Sequence, residues 1–183
     1  MSIDSLNDYK THKAVPGETI EKYRGLIPAE IMEIWEKFGF SSFCGGYLKT
    51  IDPDDYREII DDSYFAGGES VPVFVTGFGD IVTWQDNKYI AVVKYRKHDA
   101  EILSSGFGFF LSDLADKDPE LVERLEMASY DSAVAKHGEL EYDECFGHAP
   151  LPASGGGESP DSVRKMKIKP HIEMMARLIG RIE

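Results

Sequence analysis

From Ile27 to Phe38 the apolar residues recur at helical spacing. Ile31, Ile34, Trp35 and Phe38 fall at i, i+3, i+4 and i+7 and would share one face of a helix. Pro28 suits the first turn of that helix, where a missing N–H costs nothing, and Gly39 suits the position just past its end. A second helix is predicted from Asp52-Pro53, a cap residue followed by a proline. Its buried face would be Tyr56, Ile59 and Ile60, leaving Asp54, Asp55, Glu58, Asp61 and Asp62 in water.

The period then changes from 3.6 to 2. Val71 to Val75, Ile81 to Trp84 and Tyr89 to Tyr95 read as strands rich in β-branched and aromatic residues, with Glu101 to Leu103 as a short fourth. Asp86-Asn87 predicts a tight turn, because both residue types tolerate positive φ. Strands joined by such short connections pair antiparallel. Helical spacing returns after Phe107. One helix is expected from Asp118-Pro119-Glu120 through Leu121, Val122, Leu125, Ala128, Ser132 and Ala133 to Gly138. Glu139 to Glu158, acidic and then rich in Pro and Gly, reads as a long ordered loop. Val163 to Ile168 reads as a strand, and Pro170 to Ile179 as a last helix with Ile172, Met175, Ala176 and Ile179 inward. The order defines an α+β fold: N-terminal helices, a central antiparallel sheet, and a C-terminal helical lobe packed against it.

Charge changes the functional picture. The 183 residues carry 20 Lys and Arg against 33 Asp and Glu, a formal net charge of −13. Phosphates and anionic lipid headgroups repel such a surface, so nucleic acid and membrane are excluded as partners and a basic protein is favoured. The acids cluster. Asp52 to Asp62 holds six against Arg57, and Asp113 to Glu144 carries net −8, whereas Arg164 to Glu183 carries net +4. The start, MSIDSLNDYKTHK, lacks the apolar core of a signal peptide, and Cys44 and Cys145 are too few and too far apart for a disulfide scaffold. A cytoplasmic location is the expectation.

Few residues are spaced for chemistry. Cys145 and His148 are the one nucleophile–base candidate, without a motif for an orienting third group or an oxyanion hole. The same pair supplies two of the roughly four ligands that structural zinc requires, and no second such pair occurs among His12, His98, His137 and His171, so no metal is predicted. Ser154-Gly155-Gly156-Gly157 lacks the Lys and Ser/Thr of a phosphate-binding loop. Thr76-Gly77-Phe78-Gly79-Asp80 lies between strands, where a dinucleotide site needs a helix to follow. No cofactor is expected. Tyr89, Tyr95, Phe107, Phe109 and Phe110 are assigned to core packing rather than to stacking on bases.

Two stretches resemble known families. Tyr23-Arg24-Gly25-Leu26-Ile27-Pro28, Glu30 to Trp35, Phe38-Gly39-Phe40, Gly45-Gly46 and Asp52-Pro53-Asp54-Asp55-Tyr56 resemble the GAD-like domain, and Thr76 to Asp80 with Trp84 fits that family's strand pair. Tyr142-Asp143-Glu144-Cys145-Phe146-Gly147, with Pro150 and Gly155-Gly156, is similar to the C-terminal domain that accompanies it in immunity proteins encoded beside type VI secretion DNase effectors. The resemblance implies a GAD-like domain over 1–98 and an immunity-type domain over 99–183, the two capable of forming one unit. It implies a non-catalytic antitoxin that binds and neutralises a cognate toxin, with neither a pyridoxal phosphate site nor an active site carried over. Carboxylates standing where DNA phosphates would stand suit such an inhibitor. On that basis Asp54, Asp55, Asp61, Asp62, Glu139, Glu141, Asp143 and Glu144 are the candidate partner-binding residues. An acidic interaction module unrelated to toxins, and a small hydrolase using Cys145 and His148, remain as alternatives. Inhibition through an apolar patch or through disruption of the toxin's fold is an equal alternative to charge mimicry.

Overall fold

The computed structural model describes residues 3, 6, 8–149 and 162–183. In chain order the elements are β1 (Lys10–Lys13), α1 (Gly17–Tyr23), α2 (Ala29–Phe38), β2 (Phe40–Phe43), β3 (Leu48–Thr50), α3 (Arg57–Ser63), β4 (Ser70–Thr76), β5 (Ile81–Gln85), β6 (Tyr89–Lys94) and β7 (Asp99–Ser105). They continue as α4 (Phe107–Ala115), α5 (Pro119–Arg124), α6 (Met127–His137), β8 (Glu144–His148), β9 (Val163–Lys167) and α7 (Ile168–Ile179). Strands β1 to β7 form a single antiparallel sheet in sequence order, and β8 pairs with β9 as a separate hairpin.

Alternation along the strands gives the sheet two buried faces. Val82, Trp84, Ile90 and Val92 face a core completed by α2, α4, α5 and α6, while Ile81 and Val93 face a second core completed by Ile60 of α3 and Ile172 and Met175 of α7. The β8–β9 hairpin joins both, since Phe146 packs into the first core and its neighbour Cys145 into the second. The α+β architecture is therefore helices on both faces of one meander, with the last helix across the sheet from α4 to α6.

The strong periodic segments form as predicted. Pro28 precedes α2 as its cap residue, and Gly39 ends it at φ 67. Asp86 and Asn87 both take positive φ in the β5–β6 turn. Asp52 caps a 3₁₀ turn over Pro53–Asp55, and α3 begins only after it.

Four expectations need correction. Strands β1, β2 and β3 were not anticipated: they are three or four residues long, and KTHK of β1 is exposed throughout, so neither length nor alternation marks them. The single helix expected over 118–137 is two, because Glu126 takes φ 53 between α5 and α6. The stretch expected as a loop over 139–158 contains β8, and its remainder from 150 on, including Pro150 and Gly155-Gly156-Gly157, lies outside the described residues. Phe109, expected in the core, is 71% exposed, whereas Tyr95, Phe107 and Phe110 are buried as expected.

Candidate partner-binding surface

The β6–β7 hairpin and the helices after it are tied to the rest of the sheet by buried charges. Arg96, just past β6, donates to Asp80 at 3.2 Å and to Glu126, which also accepts from Lys97 at 2.7 Å. The guanidinium lies 4.7 Å from the centre of the Phe78 ring. Burial works against the charge on Arg96, but Asp80 and Glu126 outweigh it and hold the group firmly protonated. Beside this cluster Lys94 donates to Glu101 and to the Arg124 carbonyl, and Arg124 donates to Glu101 at 2.8 Å. Arg124 also donates to the carbonyls of Ile102 and Leu103, which covers backbone acceptors along the sheet edge at β7. A ring cluster of Tyr47, Phe78, Tyr130 and Phe146 closes the junction, with Tyr130 meeting Tyr47 edge-on at 5.1 Å.

Against that frame the predicted acids can be placed. In the first acidic stretch Asp54 is held by Lys22 at 2.6 Å and by the Tyr23 hydroxyl at 2.6 Å. The Lys22 bond, and then the Tyr23 bond, keep its carboxyl below the usual carboxylate range. Asp61 pairs with Arg57 at 3.5 Å. Asp55 is exposed, and Asp62 lines a groove of about 250 Å³ between α3 and α7. In the second stretch Glu139 pairs with Lys10 at 3.2 Å and Asp143 with Lys167 at 2.8 Å, whose hydrogen bond lowers the Asp143 pKa. Glu141 is exposed, and its N–H donates to Glu144 at 3.0 Å. The Glu144 carbonyl accepts from Lys49, whose ammonium is pushed down to about 8 by burial.

The two acidic stretches meet, but only through some of these residues. Asp55 and Asp143 line one groove of about 570 Å³ together with Tyr56, Tyr142, Lys13 and Lys167. Asp61 and Asp62 lie apart from it on α3, and of the two Asp62 lines the groove toward α7. Strand β1 connects this groove to a second. Its Lys10 bonds Glu139, His12 stacks on Tyr142 at 4.1 Å, and Lys13 lines the first groove. Beyond the start of β1, Asp8 lines a groove of about 520 Å³ whose other walls are the β2–β3 turn and α4 to α6, Asp113 and Asp131 among them. These two acids were missed. The net charge of 113–144 signalled them, but only the turn of the chain at Glu126 brings Asp131 beside Asp113.

Cys145 and His148 do not form the nucleophile–base pair considered above. Three residues apart on β8, they point to opposite faces. Cys145 is buried against Gly79, where an added Cβ would lie 3.2 Å from its sulfur, and burial pushes its thiol up to about 12. His148 shares a 2.7 Å contact with Ser162. Burial likewise lifts the Cys44 thiol to about 12, with Asp8 adding to it. Among the described residues no cluster of His, Cys, Asp and Glu could hold a metal ion, and no helix is long and apolar enough to cross a membrane.

The GAD-like domain model matches residues 1–96, and the chain belongs to that family. The model described as T6SS immunity protein Tdi1, C-terminal, matches residues 104–179, which marks the second half as that of a type VI secretion immunity protein. The crystal structure of Atu4351 from Agrobacterium tumefaciens superposes with a TM-score of 0.78 over 97% of this chain and 89% of that one, at 14% identity, so the two share a fold. No curated protein matches the chain in sequence.

Proposed function

We propose that this chain is a cytoplasmic immunity protein that binds and neutralises a cognate type VI secretion toxin without catalysis of its own. The observation that carries the reading is that the two family matches, 1–96 and 104–179, follow one another in the chain and are joined by the largely buried Arg96–Glu126 ion pair. The division at residue 98 separates two sequence modules that act as one binding unit, because β6 and β7 on either side of it are paired. The toxin is a basic protein, a DNase, and inhibition works by covering its nucleic-acid-binding or active surface. A net charge of −13 supports this, since complementary charge speeds encounter with a cationic surface and repels the nucleic acid itself. The Asp55–Asp143 groove and Glu139, bonded to Lys10 of β1, contribute to the contact. Acids already paired internally, such as Asp54 and Glu139, contribute by exchanging a cation of this chain for one of the toxin.

The test is co-expression with the product of the adjacent toxin gene, followed by pull-down and a growth-rescue assay. A stable complex with rescue is expected. A well-folded protein that neither binds nor rescues would return it to the class of acidic interaction modules unrelated to toxins.

A further inference from the structure

The second groove joins an apolar floor to a wall held by side-chain hydrogen bonds. Its floor is apolar: Leu114 and Leu121 are buried there, and Val122, Met127 and Ala128 are left partly or fully open to solvent. One wall is the turn Cys44-Gly45-Gly46, three successive residues at φ 52, 66 and 83. That turn is held from both sides. The Asp8 carboxylate accepts the N–H of Cys44 at 3.1 Å and of Gly45 at 2.6 Å, while the Tyr130 hydroxyl donates to the Gly45 carbonyl at 3.2 Å. A wall fixed by three side-chain hydrogen bonds is preorganised, so little ordering is left to be done on binding. At about 520 Å³ the groove has the size of a binding pocket rather than a packing fault.

Its rim is acidic, with Asp8, Asp113 and Asp131 against Lys117. Asp113 and Asp131 have no ion-pair partner among the described residues, in contrast to Asp54, Asp61, Glu139 and Asp143, and Lys117 is the only cation among the residues lining the groove. An apolar floor under an unpaired acidic rim complements an apolar side chain flanked by Lys or Arg. The same rim repels a second copy of this chain docking rim to rim. The groove also takes its walls from both family matches, so an occupant touches both halves at once.

We propose that this groove is the anchor point for the toxin: it receives an apolar side chain from a segment of the toxin whose neighbouring lysines or arginines pair with Asp113 and Asp131. The inference rests on the immunity reading and gives it a site. The contact is of the kind in which a buried apolar anchor carries much of the affinity and the surrounding polar pairs set register and encounter rate.

The test uses the full chain and an active-site-inactivated form of the toxin encoded by the adjacent gene, with affinity measured by titration calorimetry. Two variants probe the groove without touching its buried floor. Ala128→Trp fills it from an exposed position, and Asp113→Lys with Asp131→Lys inverts the rim. Glu33→Lys, at an exposed position of α2 outside both grooves, is the control. Each groove variant is expected to weaken binding by about tenfold or more at an unchanged melting temperature, and the control to stay within about twofold. Toxin binding within about twofold of the unsubstituted protein for both groove variants overturns the anchor while leaving the immunity reading intact. Failure of the unsubstituted protein to bind overturns both. A dimer of the free protein that Ala128→Trp dissociates assigns the groove to a second copy and also overturns the proposal.

Discussion

Arg96 and Glu126 lie on opposite sides of the gap between the two family matches, and the guanidinium of the first donates to the carboxylate of the second. Glu126 is also the left-handed residue that separates α5 from α6. One ion pair therefore fastens the halves together and holds the bend that sets Met127, Ala128 and Asp131 against the second groove.

Arg96→Ala leaves Asp80, with a side chain only 3% exposed, and Glu126 without their shared cation. Removing one member of a buried pair costs about 3–5 kcal/mol, and urea unfolding of the variant should show a loss of that size. Arg96→Lys should recover only part of it, because an ammonium cannot serve two carboxylates with the geometry of a guanidinium. A loss below about 1 kcal/mol for Arg96→Ala would mean that other contacts, the ring cluster among them, hold the halves together.

Gly77 is fixed by packing rather than by φ. A Cβ there would lie 2.3 Å from Cε2 of the buried Tyr130 ring. Gly77→Ala should therefore destabilise the fold by about 1–3 kcal/mol through overpacking. Gly68→Ala, with nothing within 4 Å, should be nearly neutral. Thermal melts of the two variants separate the cases.

Mild acid should weaken the fold through His171. Burial, with the nearby His148 adding to it, lowers its pKa below the ordinary 6.5, so between those values the unfolded chain binds a proton that the folded one does not. The stability this group contributes is present above pH 6.5 and lost as the pH falls through its folded pKa. The lowered carboxyls of Asp54, Glu101, Glu126 and Asp143 act only below about 4.5, their ordinary values being 3.8 and 4.5. Urea midpoints between pH 5 and 7.5 should fall with acidity for the native protein and fall less for His171→Leu.

Alkali acts through the thiols in the opposite sense. Cys145 and Cys44 rise from 9 to about 12 on folding, so their contribution is complete below pH 9 and is lost as the pH rises toward 12. Lys49, lowered from 10.5 to about 8, adds stability over the window from 8 to 10.5 and partly offsets that loss. Cys145→Ala should show a shallower decline above pH 9 than the native protein, followed by circular dichroism against pH.

Several features of the fold were legible where the pattern was long. The stripe Ile31, Ile34, Trp35 and Phe38 became α2, and the runs around Val73, Val82 and Val92 became the centre of the sheet. The outer strands were not, because Lys10-Thr11-His12-Lys13 forms β1 only through pairing with Phe40 to Ser42 of β2, a tertiary effect that overrides local propensity. Glu126 gives no local sign of positive φ, which non-glycine residues rarely adopt; the cations that hold it come from Arg96 and Lys97, some thirty residues away in the chain. The acids of the surface were legible as a count and a location in sequence. Which of them remain unpaired was not, because Lys10, Lys22 and Lys167 reach their carboxylates only in the folded chain.

The central claim is tested most directly by mixing the purified protein with the inactivated toxin of the adjacent gene and measuring the complex by titration calorimetry at low and at physiological salt. A tight complex that weakens as salt is raised, with rescue of cells expressing the active toxin, is the predicted result. A folded protein that shows no heat of binding at either salt and leaves those cells unprotected would contradict the account.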